Sequence, residues 1–224
     1  MDKHSYKDFS ILLPINECNA RYLERIRNML ADGYQDYNNL TVARIDLRFP
    51  ATDESDDFLT RDEVLSSVRR RKDTIKRFIR AIELEMAKQE REKRAKGKRV
   101  HRCKVRYAWA RERNHSHNDH YHFALVLNKS RFHRWGKFEN VECGDGLYNI
   151  IVRAWARAIG LCNNQAMGLV HIPDNSIYYL HGRPESSQSS EKEYKDIFHR
   201  LSYLAKKRTK RRNEGFRCFG SSTK

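Results

Sequence analysis

Alternating apolar and polar residues in the middle of the chain predict two antiparallel β-strands. Apolar side chains recur at every second position in residues 103–112 and 120–127, and residues two apart share one face of a strand. The polar stretch between the two segments predicts a hairpin centred near Ser116 or His117. Further strands are predicted from β-rich segments at 40–50, 168–173 and 176–180.

Apolar residues at helical spacing predict four helices. The first begins at an N-cap, Asn16, and ends near Asp32, because Gly33 suits a C-terminal stop. The second is long: it begins with the capping-box pattern at 60–63, and its apolar stripe extends to Met86. The other two helices contain residues 147–159 and 194–205.

Together these elements predict an α+β fold in which helices pack on a central antiparallel sheet of about five strands. Residues 1–37 are interpreted as an N-terminal extension and helix packed on the core. Residues 38–212 form the main domain, with the long helix and a basic arm at 60–102, and residues 213–224 form a tail. The stretch 184–190, rich in serine, is expected to be a flexible link.

A large excess of positive charge narrows the class of partner. The 224 residues include 45 lysines and arginines against 29 acidic residues, which gives a formal net charge of +16. Such an excess favours an anionic partner, and nucleic acid is the leading candidate. A membrane is not expected, because no apolar run approaches the roughly 18 residues that a spanning helix needs.

The N-terminus and the cysteines both indicate a cytoplasmic protein. Residues 1–7 contain no apolar signal core. The five cysteines are scattered and none forms a Cys-x-x-Cys pair. This pattern favours reduced thiols over a disulfide framework or a structural zinc site.

Basic stretches supply candidate contacts to phosphate groups. The run 88–102 is either an arm that meets phosphates or a solvated helix end. The connection 129–146 interleaves arginines with aromatic residues, which can stack on unpaired bases or pack on the protein body. A basic tail follows at 206–212. The candidate DNA-binding residues are Arg44, Lys96, Lys98, Arg99, Arg131, Arg134, Arg208, Lys210, Arg211 and Arg212.

One carboxylate and two imidazoles can meet on one face of the predicted hairpin. There Glu112 lies opposite His120 or His122, and all three side chains point the same way. Two imidazoles and a carboxylate with open positions are a common ligand set of catalytic metals. The alternative is a polar, half-exposed His-x-His that binds nothing. Other residues that could join the site are Asp46, otherwise a solvated or turn-capping group, and the neighbouring His115 and His117.

The polar side of the last predicted helix carries a tyrosine that core packing does not explain. At about 100° per residue, Tyr203 falls roughly opposite Leu201, with Lys206 and Lys207 one turn along on its own side. It is either an exposed aromatic on a basic helix or a nucleophile, since adjacent positive charge favours the ionised phenol and holds a phosphate. A nucleophile requires that this polar side face the metal ligands.

The order of these motifs resembles the HUH endonuclease superfamily, named for its His-hydrophobic-His motif. Glu112 stands eight residues before His120, the His motif reads His120-Tyr121-His122, and a late Tyr203-x-x-Lys206 follows. The chain is most similar to the single-tyrosine, inovirus-type rolling-circle replication initiators of filamentous phages and integrated elements, over roughly residues 38–222. Further motifs that carry the resemblance are Val42-Ala43-Arg44-Ile45-Asp46-Leu47, Arg111-Glu112, Leu127-Asn128 and Phe219-Gly220-Ser221-Ser222.

The resemblance implies a metal-dependent endonuclease of single-stranded DNA, built on an RRM-like core. By this pattern Glu112, His120 and His122 bind Mg²⁺ or Mn²⁺, and Tyr203 is the nucleophile. The tyrosine retains the 5′-phosphate and frees a 3′-hydroxyl that primes replication, and the break is later rejoined. The implied partners are single-stranded and origin DNA and a host helicase, in the cytoplasm of a bacterial host.

Two other functions stay open on the sequence. The first is a non-catalytic DNA-binding regulator on the same fold, which would bind DNA without nicking it. The second is a basic RNA-binding protein with an incidental histidine cluster, whose binding would not depend on metal. Metal-dependent nicking of single-stranded DNA distinguishes the enzyme from both.

Overall fold

The strands predicted from the alternating segments form the centre of the molecule, with helices on both sides. The computed structural model describes residues 3–50, 73–112, 119–208 and 217–222. The strands in those ranges are β1 (Ser5–Tyr6), β2 (Phe9–Ser10), β3 (Asn39–Arg48), β4 (Arg106–Glu112), β5 (His120–Asn128), β6 (Val170–His171), β7 (Ile177–His181) and β8 (Phe219–Ser221). The helices are α1 (Ala20–Asp36), α2 (Thr74–Ala95), α3 (Leu147–Ile159), α4 (Asn163–Met167) and α5 (Gln188–Leu201).

Six of the described strands form one sheet in which every pairing is antiparallel. The order is β6-β3-β5-β4-β8, and β7 pairs with the first half of β3 while β6 pairs with its end. The predicted α+β fold with an antiparallel sheet and flanking helices is confirmed. The sheet exceeds the predicted five strands because the C-terminal segment adds β8 beside β4. Strands β1 and β2 form a separate small hairpin.

The central strands are buried on both faces, so the sheet divides two apolar cores. In β5, Tyr121 and Phe123 enter one core, and Ala124 and Val126 enter the other. This is the alternation that the sequence predicted, and it follows from the two-residue period of a strand. Helices α2 and α3 cover the first face, where Trp155 is fully buried, and α1 and α5 cover the second.

Helix α1 differs from its prediction at both ends. It is capped by Asn19, whose side-chain oxygen accepts hydrogen bonds from the amides of Arg21 and Tyr22, and not by Asn16. Gly33 does not end the helix but lies buried inside it. A Cβ at this position would stand only 2.9 Å from Cγ1 of Val126, so the position needs a residue without a side chain. The glycine therefore lets α1 approach the sheet closely, and the helix continues to Asp36.

The segment 184–190 is ordered, and the prediction of a flexible link there was wrong. A 3₁₀ turn at Pro184–Ser186 leads into α5, and the Ser187 hydroxyl caps that helix by accepting from the Ser190 amide at 3.1 Å. Serines are frequent in flexible links, but they are also strong N-caps, and here the capping by Ser187 begins a helix. The predicted start of the long helix at 60–63 lies outside the described residues. None of the helices in the described ranges has the length and apolar character needed to cross a bilayer.

Candidate active site

Strand register brings one carboxylate and two imidazoles together at one end of the β4–β5 hairpin. Glu112 in β4 pairs directly with His120 in β5, which is one of the two registers that the sequence predicted. Because residues two apart share a face, His122 points to the same side. One possible ligand atom from each of the three residues lies within 4.8 Å of the other two.

The orientation of His122 is set by Asp46 on the neighbouring strand. Asp46 in β3 pairs with His122 in β5, and its Oδ1 lies 2.6 Å from Nδ1 of the imidazole. In the neutral imidazole with Nδ1 donating to the carboxylate, Nε2 carries the lone pair; this atom lies 3.6 Å from Oε2 of Glu112. A carboxylate behind a ligating histidine is the usual way to fix its tautomer and ring orientation.

Electrostatics ties this pair together. Burial acts to raise the pKa of Asp46, but the hydrogen bond with His122 and the charges of Arg44 and His171 outweigh it, and the pKa is lowered. Burial acts to lower the pKa of His122, but its contacts with Asp46 and Glu112 outweigh burial, and the pKa is raised. The two carboxylates therefore hold His122 in place from both sides.

The surroundings of His120 favour its neutral form. Its ring centroid lies 4.9 Å from that of His122, with the two planes perpendicular. Burial, and after it the charge of His122, lower the pKa of His120. A neutral imidazole offers a lone pair, which is the form that binds a cation.

Tyr203 reaches this cluster from a short turn that follows α5. The helix ends at Leu201, and residues Ser202–Ala205 form a 3₁₀ turn, so the prediction that the last helix extends through Tyr203 was wrong. The turn forms because Leu204 and Ala205 are buried and the Ala205 carbonyl accepts a hydrogen bond from the Asn19 amide at 2.8 Å. These anchors rotate Tyr203 toward the imidazoles.

The phenol and an ammonium group complete the cluster. The ring of Tyr203 meets that of His122 edge to face, with centroids 5.5 Å apart. Lys206 Nζ donates to the Tyr203 hydroxyl at 3.3 Å and lies 3.8 Å from Oε2 of Glu112. Lys206 thus links the tyrosine to the carboxylate, whose side chain is only 1% exposed.

Lys207 lies outside the cluster, contrary to its predicted place beside the nucleophile. Its ammonium donates to the carbonyl of Asn16 at 2.8 Å, and its amide donates to the carbonyl of Glu17. The tight turn sends successive side chains in directions that a continued helix would not. Of the two predicted lysines, only Lys206 contacts Tyr203.

A buried ion pair closes the base of the hairpin beside the ligands. Arg111 Nη1 donates to Oδ2 of Asp119 at 3.0 Å, and both side chains are at most 5% exposed. The pair joins the two strand ends next to Glu112 and His120. The alternative ligands His115 and His117 lie between these ends, outside the described residues.

The predicted DNA-binding residues fall into two groups. Five lie at exposed positions; these are Lys96, Lys98, Arg99, Arg134 and Arg208. Two are turned inward: Arg44 is 5% exposed, and Arg131 is half-buried with Nη2 donating to the Met86 carbonyl at 3.3 Å. Arg131 therefore holds its loop to α2, and its contact with DNA stays a prediction. Lys210, Arg211 and Arg212 lie outside the described residues.

Two residues at the site were not assigned from the sequence. Asp46 was left between a site role and a solvated one, and its role depends on the pairing of β3 with β5, which local patterns do not specify. His171, half-exposed in β6, lies with Nδ1 3.6 Å from Oδ2 of Asp46. The only sequence signal for His171 is its position in a short predicted strand.

The arrangement joins a possible cation site to a possible nucleophile.

A family model described as the YagK/YfjJ C-terminal domain matches residues 1–222 of the chain. The chain belongs to this family. The uncharacterized protein YagK of Escherichia coli strain K12 is 28% identical over 202 residues, which cover 90% of this chain and 91% of YagK.

A second relative, YfjJ, is similar to the chain over a comparable length. The uncharacterized protein YfjJ of the same strain is 29% identical over 206 residues, which cover 90% of this chain and 93% of YfjJ. No solved structure matches the chain significantly. Membership of the YagK/YfjJ family shows that the chain is related to these proteins over almost its whole length. Any function has to be inferred from the residues of the site.

Proposed function

We propose that this YagK/YfjJ family member nicks and rejoins single-stranded origin DNA through a metal-dependent 5′-phosphotyrosine intermediate. The observation that carries the proposal is the approach of Tyr203 to the histidine pair, 5.5 Å between its ring centroid and that of His122. The motif resemblance to inovirus-type replication initiators points to the same reaction. The net charge of +16 suits a polyanionic substrate.

The donor set fits a divalent cation. Glu112 offers a carboxylate oxygen, His122 offers Nε2 because Nδ1 is committed to Asp46, and His120 is shifted toward its neutral form. Mixed nitrogen and oxygen ligands favour Mn²⁺, and Mg²⁺ is the alternative because it takes part in most phosphoryl chemistry. When bound, such an ion supplies Lewis-acid stabilisation of the charge that develops on the phosphate oxygens.

The residues of the chain account for the remaining chemistry. Tyr203 Oη attacks the phosphorus, and the new P–O bond to tyrosine forms as the bond from phosphorus to the 3′-oxygen breaks. The phenolic proton is lost and the departing 3′-oxygen takes up a proton. Lys206, whose ammonium donates to the phenol oxygen, stabilises the ionised phenol before attack.

The reverse reaction follows from the same geometry. One phosphodiester bond is exchanged for another, so the bond energy is kept and no external energy source is needed. A 3′-hydroxyl that attacks the phosphotyrosine restores the DNA backbone and the free tyrosine. This is the property that an initiator of rolling-circle replication requires.

The test is covalent capture of DNA. Purified full-length protein is mixed with a labelled random-sequence library of single-stranded DNA and Mn²⁺ or Mg²⁺, then run on a denaturing gel, and captured strands are sequenced. We expect an adduct that needs metal and disappears in Tyr203→Phe. The matched control is Tyr179→Phe, because Tyr179 is exposed and lies outside the cluster.

Two outcomes would contradict the proposal. An adduct that persists in Tyr203→Phe would assign the nucleophile to another tyrosine, with Tyr178, Tyr179 and Tyr194 as the candidates. Metal-independent binding with no adduct under any condition would favour the non-catalytic regulator. Tyr194 is the weakest of these candidates, because it is only 7% exposed and burial raises its pKa to about 12.

A further inference from the structure

Two arginines, Arg44 and Arg200, each have one buried guanidinium nitrogen without a hydrogen-bond partner among the described residues. Arg44 lies on β3 and is 5% exposed, and its Nε is buried without a hydrogen-bond partner among the described residues. Arg200, on the last turn of α5, also has a buried Nε without a partner in the described part of the chain. A buried guanidinium that is not fully hydrogen-bonded is strongly unfavourable.

The charge balance around Arg44 leaves it short of negative charge. Its nearest carboxylate is Asp46, with 3.7 Å between Nη2 and Oδ1, and that oxygen already accepts from His122. Burial lowers the pKa of Arg44, Asp46 raises it, and the positive charge of Arg200 lowers it further. Arg44 therefore faces a second positive charge, and the carboxylate beside it is already hydrogen-bonded to His122, so the site has a net demand for an anion.

Arg44 lies on the opposite edge of His122 from the ligand cluster, and Arg200 is close enough to Arg44 for the two positive charges to interact. The Nε2 edge of the imidazole faces Glu112, where a cation would bind, whereas the Nδ1 edge faces Asp46 and, beyond it, Arg44. Tyr203 lies near the His122 ring, with which it is in contact, and near Arg44, on which it acts electrostatically. An anion held by the arginines is therefore distinct from the phosphate that Tyr203 attacks, yet close to it.

We propose that Arg44 and Arg200 form a subsite for the phosphodiester group next to the scissile one. The proposal rests on the proposed function, because it takes the occupant to be the same DNA strand. Guanidinium groups suit this role, since their donors bind phosphate oxygens in pairs. Contact with a second phosphate fixes the register of the strand and so positions the scissile bond before Tyr203.

The test measures binding and not cleavage, in a Tyr203→Phe background with Mn²⁺. Arg200→Gln is compared with Lys192→Gln, a matched control that removes one positive charge from an exposed position of the same helix. We expect Arg200→Gln to weaken binding of a short single strand by roughly tenfold more than the control, as loss of a charge-assisted hydrogen bond predicts. The salt dependence should also fall by about one phosphate contact.

Uncharged linkages in the DNA backbone identify which phosphate the arginines contact. Single methylphosphonate linkages are placed along the strand, and the linkage adjacent to the cleavage site should weaken binding in the Tyr203→Phe protein but have no further effect with Arg200→Gln. Equal binding by Arg200→Gln and Lys192→Gln would overturn the subsite, as would sensitivity confined to the scissile linkage. Arg44→Lys, which keeps the charge in the buried position, should bind more tightly than Arg44→Gln when both are folded by circular dichroism.

The two proposals can fail separately. A Tyr203-dependent adduct with no Arg200 effect removes the subsite and leaves the nuclease. An Arg200-dependent contact to one linkage, without any adduct in the wild-type protein, removes the nuclease and supports a phosphate-binding site.

Discussion

Asp46 lies behind His122, with its Oδ1 2.6 Å from Nδ1 of the imidazole, and so decides which ring nitrogen faces Glu112. The contact joins the central strand β3 to β5, and antiparallel pairing places the two residues directly opposite each other. A partner of this kind orients a ligand without touching the metal. The candidate site is therefore built from three adjacent elements, β3, β4 and β5, and from the turn that carries Tyr203.

Asp46→Asn should weaken metal binding while leaving all three predicted ligands present. The amide cannot accept the Nδ1 proton with the strength of a carboxylate, so His122 loses its preferred tautomer. We expect Mn²⁺ affinity, measured by electron paramagnetic resonance or calorimetry, to fall by about 10- to 100-fold. Asp174→Asn, at an exposed position outside the cluster, should leave affinity unchanged. Loss of stability without loss of affinity would assign Asp46 a purely structural role.

Lys206 and Lys207 offer a matched pair of variants on adjacent residues. Lys206→Met removes the ammonium that donates to Tyr203, whereas Lys207→Met removes one that donates to the Asn16 carbonyl. We expect Lys206→Met to slow adduct formation by about 10²-fold, the scale for loss of one preorganised donor. Lys207→Met should stay within about twofold of wild type, a surface-charge effect. Similar losses in both variants would mean that general charge, and not the contact with the phenol, matters.

The sequence was informative where structure follows from local periodicity. The alternation along β5 fixes which side chains face each core, and the hairpin brings Glu112 opposite His120. The role of Asp46 could not be read in the same way, because it depends on which strand lies beside β5. The turn at Tyr203 escaped prediction for a related reason: the helical spacing continues past Leu201, but contacts with the segment before α1 end the helix there.

The role of Gly33 also depends on tertiary contacts that the local sequence pattern does not specify, and it leads to a prediction about stability. Locally a glycine ends helices, but here a Cβ would stand 2.9 Å from Cγ1 of Val126 and 3.1 Å from Cδ1 of Leu40. Gly33→Ala gains about 1 kcal/mol of helix propensity but must displace packed side chains, which costs about 1–3 kcal/mol. We expect net destabilisation of about 1 kcal/mol in urea unfolding. Gly168→Ala, where no atom lies within 4 Å of the new Cβ, should be neutral or slightly stabilising; a stabilising Gly33→Ala would show that α1 shifts freely.

Glu24 provides a pH-dependent contribution that is separate from the candidate site. Hydrogen bonds from Arg27, Lys7 and Tyr6 lower its pKa to about 2, against an ordinary value of 4.5, and join the β1–β2 hairpin to α1. Since the folded protein lowers this pKa, the stabilisation is complete above the ordinary value and is lost as the pH falls toward 2. Glu24→Gln should therefore reduce the free energy of unfolding at pH 7, by no more than about 1 kcal/mol because the pairs are exposed.

The pH profile distinguishes this ion-pair effect from lost packing. The difference in unfolding free energy between wild type and Glu24→Gln should shrink as the pH falls from 4.5 to 2 and should vanish only below pH 2. The chemical shift of the Glu24 side chain, followed by NMR, should titrate in the same window. A difference that stays constant with pH would mean that the carboxylate contributes through packing alone. The remaining attachment of the hairpin would then include the ring contact of Phe9 with Phe198 of α5, 4.7 Å between centroids.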